Sequence, residues 1–290
     1  MIKGTSTSDY AGTSVSSAGD VNGDGIVDLI VGAPYAEVTT TLPNSGRSYV
    51  VFGKANNTAV NLSAIATGTG GFVINGVANS DYTGSAVSSA GDVNGDGLAD
   101  LIVGGYGSGA AGLAYVVFGK ATTAAVSLPT ATATTFAGGF AIKGVTSGDD
   151  AGYSVSNAGD VNGDGLADLL VGARNADLTT AALNSGKAYV VFGKTTTSTV
   201  SLSSVAAGSG GYVLYGPTAN GQAGLSLSYA GDINGDGLAD TIIGAPNAST
   251  YAGKTYVAYG KSTTTAISLS NIEKGIGGFV VNGYSSYDYS

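Results

Sequence analysis

Short apolar stretches alternate with glycine-rich and polar segments along the whole chain. The first 76 residues hold four such stretches, each rich in Val, Ile, Tyr or Phe and bounded by Gly, Asn, Asp or Ser/Thr clusters. They are Thr13–Ser17, Asp28–Val31, Ser48–Phe52 and Gly71–Asn75. This length and composition are typical of β-strands, and no segment has the period of an amphipathic helix. The pattern predicts an all-β chain of short strands.

The same four stretches recur three more times in the same order. The segment AGDVNGDGIVDLIVGAP at residues 18–34 returns with few changes, and its first Asp falls at residues 20, 92, 160 and 232. Four strands per repeat predict a β-propeller of four tandem four-stranded blades, with a solenoid or a linear array as the alternative. The predicted blades are approximately residues 5–76, 77–144, 145–216 and 217–283, and residues 284–290 begin a further repeat.

The repeat of roughly 70 residues is longer than the usual propeller repeat of about 40–50. We expect the additional residues, 38–44 and 120–137 among them, to form long exposed loops. Residues 2–10 also match residues 281–289, as in a segment cut from a longer array. No apolar run is long enough to span a membrane, and Met1 leads directly into repeat sequence without a secretory leader. This favours either a cytosolic protein or, as we expect here, an extracellular or cell-surface domain of a longer protein.

An acidic motif, D-x-N-x-D-G-x-x-D, lies in the turn between the first and second strands of each repeat. Its alternate positions carry oxygen atoms, and calcium prefers roughly six to eight oxygen ligands. The two glycines of the motif allow a sharp backbone turn, so these oxygens can face one point. We therefore predict about four Ca²⁺ sites, one per repeat, in which the Ile or Leu contributes its backbone carbonyl. The predicted ligands are Asp20, Asn22, Asp24, Ile26 and Asp28; Asp92, Asn94, Asp96, Leu98 and Asp100; Asp160, Asn162, Asp164, Leu166 and Asp168; and Asp232, Asn234, Asp236, Leu238 and Asp240.

Other interpretations of the acidic motif are weaker. An EF-hand loop needs a Glu at its twelfth position and flanking helices, but that position holds Val31 in the first copy. A plain Asn-Gly or Asp-Gly turn does not explain three carboxylates within nine residues, because like charges without a cation repel one another. Magnesium is disfavoured because it prefers octahedral sites that keep several waters.

The composition excludes several classes of function. The chain has no Cys and no His, which removes disulfides, thiolate nucleophiles and the commonest general base. Its formal net charge is −9, which disfavours nucleic acid and anionic membranes as partners. Twelve of its 20 acidic residues lie in the four motifs, so the negative charge belongs mainly to the predicted metal sites. We therefore do not expect an enzyme.

These motifs resemble the FG-GAP repeats of the integrin α-subunit propeller and of related arrays in bacterial surface proteins. The resemblance rests on the GD-x-NGDG-x-x-D loop, the apolar strand with GAP after it, and the YVVFG strand that follows. Ala11-Gly12 stands where the family has Phe-Gly, and two GAP triplets are altered at Gly104-Gly105-Tyr106 and Gly172-Ala173-Arg174. The resemblance implies a seven-bladed ring in integrins. With four units, the ring either closes on itself, stays open, or is completed by a second copy in a homodimer, and we favour self-association because open rings expose strand edges.

The predicted function is that of a calcium-stabilised scaffold or adhesion module for an unidentified protein or glycan ligand. The first alternative is a glycan-binding, lectin-like propeller, for which Tyr106, Tyr229 and Tyr251 are candidates because they break the repeat pattern. The second is a calcium-dependent polysaccharide-processing enzyme, which would need a site that departs from the repeat. Arg174 and Glu37 depart from it, but nothing in the sequence converges on them, and a lone Arg is usually solvated.

Overall fold

The computed structural model describes residues 1–287. Most of its regular structure is short β-strand, with four helices of four or five residues among the described residues. The strands are β1 Ile2–Lys3, β2 Ser14–Gly19, β3 Asp28–Ala33, β4 Arg47–Val51, β5 Val60–Asn61, β6 Gly71–Asn75, β7 Ala86–Gly91, β8 Asp100–Gly105, β9 Leu113–Val117, β10 Val126–Ser127, β11 Gly139–Lys143, β12 Ala151–Gly159, β13 Asp168–Ala173, β14 Lys187–Val191, β15 Val200–Ser201, β16 Gly211–Tyr215, β17 Ser226–Gly231, β18 Asp240–Ala245, β19 Lys254–Ala258, β20 Ile267–Ser268 and β21 Gly278–Asn282. The helices are α1 Leu62–Ala66, α2 Leu202–Ala206, α3 Ala248–Tyr251 and α4 Leu269–Ile272.

Each repeat forms one antiparallel four-stranded blade. The strand orders are β2-β3-β4-β6, β7-β8-β9-β11, β12-β13-β14-β16 and β17-β18-β19-β21. In the first blade Val31 lies opposite Tyr49, which in turn lies opposite Val73. Strands such as β8 and β13 are apolar on both faces because each is covered by a neighbouring blade on both sides. The predicted all-β propeller of four tandem four-stranded blades is confirmed.

A two-residue strand of the following repeat extends the outer strand of most blades. β10 pairs in parallel with β6, β15 with β11, and β20 with β16. At the start of the chain β1 pairs in the same way with β5. Each parallel pair between two blades covers the last two residues of a blade's outer strand. This leaves less unpaired backbone at the edge of the sheet for pairing with another chain.

Successive blades pack face to face through their innermost strands and their sheets. β2 packs on β7, β7 on β12 and β12 on β17. The buried side chains between blades 1 and 2 include Ile30, Phe72, Leu101 and Tyr115, and corresponding clusters lie at the next two junctions. Most of the apolar core is therefore divided among the three junctions, and a fourth cluster lies within blade 1 beneath α1. The outward faces of blades 1 and 4 leave Val15 and Phe279 exposed.

One expectation about the segments between strands was wrong. Residues 120–137 are not simply an exposed loop, because Val126–Ser127 pair with β6 and Leu128 is buried. Helices also occur, although the sequence shows no helical period. Helix α1 is one turn long, with the Asn61 side chain accepting a hydrogen bond from the Ser63 backbone N–H at its start, and a single turn is too short to show a period.

Candidate cation loops

The loop between β2 and β3 is organised by the first aspartate of the acidic motif. One carboxylate oxygen of Asp20 accepts hydrogen bonds from the backbone N–H groups of Gly23 at 2.8 Å and Asp24 at 3.1 Å, and the other accepts from Gly25 at 2.8 Å. The φ angles of Gly23 and Gly25 are +78° and +84°, a region that favours glycine. The glycines of the motif are therefore needed to turn the chain around the Asp20 carboxylate.

The side chains at alternate positions are held in the same way. Asn22 Oδ1 accepts from the Asp24 backbone N–H at 2.8 Å, and Asp24 Oδ1 accepts from the Ile26 backbone N–H at 2.8 Å. The Asn22 amide also donates to Asp24 Oδ2 at 3.0 Å. The other three loops repeat all of these hydrogen bonds. The structure thus gathers the first three predicted side-chain ligands of each loop around one turn.

The last aspartate of the motif lies at the base of the loop and is fully buried. In blade 2 the Asp100 carboxylate accepts from the backbone N–H groups of Val93 at 2.9 Å and Gly119 at 2.8 Å. It therefore ties the loop to the start of β8 and to the end of β9. Asp28, Asp168 and Asp240 make the same two contacts in their own blades.

In blades 1 to 3 burial makes this aspartate costly to ionise. Removal from water is the largest effect and raises the pKa of Asp100 and of Asp168; the backbone N–H donors oppose the rise and the nearby carboxylates of the same loop add to it, so that each pKa comes to about 7. Burial also raises the pKa of Asp28. An unneutralised loop therefore carries an electrostatic cost, which a bound cation would relieve.

The donor set of each loop fits a hard cation that takes mixed oxygen ligands. Carboxylate, amide and backbone carbonyl oxygens are all present, as calcium prefers. Within residues 1–287 no three carboxylates converge closely enough to form a metal site by themselves. The loop would therefore depend on Asn22 and on the Ile26 carbonyl as well as on its aspartates, and the twenty predicted ligands stay a prediction.

Each of the first three loops is also hydrogen-bonded by the blade that follows it, which sequence reasoning missed. The Asp20 carbonyl accepts from the Ala99 backbone N–H at 3.0 Å, and the Val21 carbonyl accepts from the Lys120 backbone N–H at 2.8 Å. Equivalent bonds join loop 2 to blade 3 and loop 3 to blade 4. The recurrence of an FGK or YGK segment after every acidic motif was the only signal in the sequence, and it does not identify the hydrogen-bond partner.

Two substitutions in loop 2 should separate its structural role from its role in cation binding. Asp100→Asn places an amide N–H₂ against a backbone donor in a buried site, so we expect a loss of about 2–3 kcal/mol in the free energy of unfolding, even with a chelator present. Asp96→Asn lies on the exposed part of the loop and should change stability little in chelator, but it should reduce the stabilisation by calcium. Urea unfolding with and without calcium measures both; equal stability of Asp100→Asn and the unmodified chain would contradict the structural role.

A row of tyrosines crosses blades 1 to 3, and we call it the tyrosine row. Ring centroids lie 5.0 Å apart for Tyr10 and Tyr35, 5.5 Å for Tyr35 and Tyr82, 5.3 Å for Tyr82 and Tyr106, and 5.4 Å for Tyr106 and Tyr153. Three of its rings, with Thr13, Pro34 and Ser85, line a cavity of about 240 Å³. Of the three tyrosines predicted to bind glycans, the structure places only Tyr106 here.

Arg174 ends the tyrosine row and is not the solvated side chain that the sequence suggested. Its guanidinium carbon lies 3.6 Å from the ring centroid of Tyr153. Its Nη2 forms an ion pair with Asp150 at 3.1 Å, and Asn175 donates to the same carboxylate oxygen at 2.8 Å. Asp150 and Tyr153 therefore both contact Arg174, and Asn175 holds the Asp150 carboxylate in place.

The other two glycan candidates lie apart from the tyrosine row. Tyr229 is exposed in β17 of the last blade. Tyr251 stacks on Tyr287, with ring centroids 5.6 Å apart. The predicted match of residues 2–10 to 281–289 ends outside the described residues.

Four consecutive blades, each with an acidic glycine-containing loop between its first two strands, define a tandem-repeat β-propeller. The family model described as FG-GAP repeat matches residues 11–51, 83–117, 151–191 and 223–258, which is more than half of the chain. The chain belongs to the FG-GAP repeat family.

Two similar proteins are integrin α subunits. The chain is 34% identical to integrin alpha-PS2 of Drosophila melanogaster over 110 residues, which cover 37% of the chain and 7% of that protein. It is 32% identical to integrin alpha-V of Gallus gallus over 173 residues, which cover 58% of the chain and 15% of that protein. The chain therefore corresponds to a small part of each. No helix within residues 1–287 has the length and apolar character needed to cross a membrane.

Proposed function

We propose that this propeller binds calcium in its four acidic loops and serves as a non-enzymatic adhesion or interaction module outside the cell. The observation that carries the proposal is the fourfold repetition of one loop, with the same hydrogen bonds around Asp20, Asp92, Asp160 and Asp232. Backbone hydrogen bonds shape each turn, but they do not offset the repulsion among three carboxylates within nine residues, which a bound cation would neutralise.

A bound cation would stabilise the folded propeller. In loop 1 the ligands would be the side chains of Asp20, Asn22, Asp24 and Asp28 and the Ile26 carbonyl. A bound Ca²⁺ neutralises charges that otherwise repel, and it fixes a loop to which the next blade is hydrogen-bonded. Calcium would thereby stiffen the junctions between blades as well as the turns.

Calcium binding is tested by equilibrium dialysis of chelator-stripped protein against radioactive Ca²⁺. We expect about four ions per chain, and about three for Asp24→Ala, because that substitution removes a carboxylate from loop 1 only. The matched control Asp177→Ala changes an acidic residue in a loop outside the four motifs and should keep four. The proposal would be overturned if the unmodified chain bound almost no Ca²⁺, or if both variants lost the same amount of bound Ca²⁺.

The adhesion role is supported by the integrin α relatives and by the lack of His and Cys for catalysis. Only a small part of each relative is represented, so the partner, a protein or a glycan, belongs to the proposal as well. The acidic balance of the chain disfavours nucleic acid.

Glycan binding is a second candidate because the tyrosine row offers partly exposed aromatic faces beside a cavity. Aromatic rings present flat apolar surfaces with a polar tip, which suits the apolar face of a sugar ring. A glycan array should then show binding that Tyr106→Ala removes and that Tyr229→Ala, outside the row, leaves unchanged. No bound glycan, or equal effects of the two substitutions, would exclude this candidate.

A further inference from the structure

The three internal junctions are built from the same complementary halves. The trailing half of one blade presents an aromatic ring of its outer strand and the carbonyl groups of its acidic loop. The leading half of the next blade presents a lysine and two backbone N–H groups. At the first junction the Lys120 Nζ lies 4.2 Å from the ring centroid of Phe72. Lys194 over Phe140 and Lys261 over Tyr212 repeat this contact at 4.5 and 4.2 Å.

Blade 1 presents a leading half without a blade against it. Val15 is 66% exposed, whereas its counterpart Val87 is 6% exposed, and Leu29 is 44% exposed against 0% for Leu101. Ile26 and Val27 beside them are also exposed. This is the face that blades 2 to 4 bury.

Blade 4 presents the matching trailing half. Phe279 is 39% exposed, whereas Phe72 at the same position is fully buried. In its loop Ile233 is 48% exposed against 0% for Val161. Its outer strand β21 is the one outer strand within residues 1–287 to which no two-residue parallel strand is paired.

We propose that the leading face of blade 1 in one copy of this chain docks on the trailing face of blade 4 in a second copy. The two free faces are the two halves of one junction, so a second copy carries the complement of each. Docking would place Lys54 over the Phe279 ring and would bring the backbone N–H groups of Val27 and Lys54 to the carbonyls of Asp232 and Ile233. The fourth acidic loop is completed in this way by the partner copy.

Strand β1 would compete with this contact. At the internal junctions the end of one blade's outer strand pairs with a two-residue strand of the next blade, as Ile74–Asn75 of β6 pair with β10. In blade 1 the equivalent two-residue strand is β5, and it pairs with Ile2–Lys3 of β1. In the docked pair the Val281–Asn282 end of β21 takes this place, so β1 must leave β5. Removal of residues 1–4 should therefore strengthen the association.

The contact is head-to-tail, so its two halves can be blocked separately. We expect the unmodified protein to sediment with at least twice the chain mass of 28.1 kDa at micromolar concentration, as a closed ring or a longer assembly. Leu29→Asp, on the leading face, and Phe279→Asp, on the trailing face, should each weaken association by at least about tenfold. A mixture of the two variants should form a 1:1 dimer, because each retains the half that the other lacks.

Circular dichroism should show that both variants are folded. Leu183→Asp, at an exposed loop position, is the matched control and should associate as the unmodified chain does. A monomeric unmodified chain would overturn the proposal. So would self-association of either variant alone, or a mixture that stays monomeric, because a contact between like faces would behave in that way. Weaker association after removal of residues 1–4 would contradict the inference that β1 competes with the second copy.

Discussion

Millimolar calcium should raise the melting temperature of the chelator-treated protein by about 3–10 °C. Extracellular calcium modules have dissociation constants of about 10⁻⁴–10⁻³ M. At millimolar calcium each occupied loop then contributes roughly 0.5–1.5 kcal/mol. Four loops together add about 2–6 kcal/mol, which is comparable with the whole stability of many domains and corresponds to a shift of this size in a chain of this length.

The control is a variant in which the exposed aspartate of every loop is changed, with Asp24→Asn, Asp96→Asn, Asp164→Asn and Asp236→Asn combined. It should fold in chelator and show little response to calcium. Magnesium at the same concentration and ionic strength should stabilise the unmodified chain much less than calcium does. Scanning calorimetry measures all of these, and equal melting temperatures in calcium and in chelator would leave the loops as structural turns only.

Gly104→Ala should cost about 3 kcal/mol in the free energy of unfolding. A Cβ atom at Gly104 would lie 2.1 Å from the carbonyl oxygen of Gly152 in the next blade. This neighbour is backbone and cannot turn aside as a side chain does, so two blades must move apart. Because the junctions hold the apolar core, the cost falls on packing as well as on the local contact.

Gly244→Ala is the matched control, since Gly244 occupies the same position in blade 4. A Cβ atom there would meet the side-chain oxygen of Ser226 at 2.1 Å, and a serine side chain can rotate. We expect it to cost about 1 kcal/mol or less when urea unfolding is measured at low protein concentration. Similar costs for the two glycines would show that the close approach of the blades does not govern stability.

The elements that the sequence predicted well are those fixed by repeated local chemistry. The fourth stretch, Gly71–Asn75, matches β6 residue for residue, and the second begins at Asp28 as β3 does. The acidic loop falls between the first two strands of each blade because glycine and aspartate determine its turn within a few residues. Local signals of this kind survive in any tertiary context.

The features that the sequence did not reveal depend on contacts between repeats. The pairing of Val126–Ser127 with the preceding blade requires the relative position of two sheets. The convergence of Asp150 and Tyr153 on Arg174 joins parts of the chain that are more than 20 residues apart. Both are tertiary contacts of residues whose local sequence is compatible with an exposed loop.

The hydrogen bonds from each blade to the preceding acidic loop also order events during synthesis. The Asp20 carbonyl accepts its hydrogen bond from the Ala99 backbone N–H, and the Val21 carbonyl accepts from that of Lys120, so both donors belong to the second repeat. In a nascent chain that has emerged only through its first repeat, these two carbonyl groups can bond only to water. Each of the first three acidic loops therefore gains its inter-blade hydrogen bonds only after the next repeat has been synthesised and has folded.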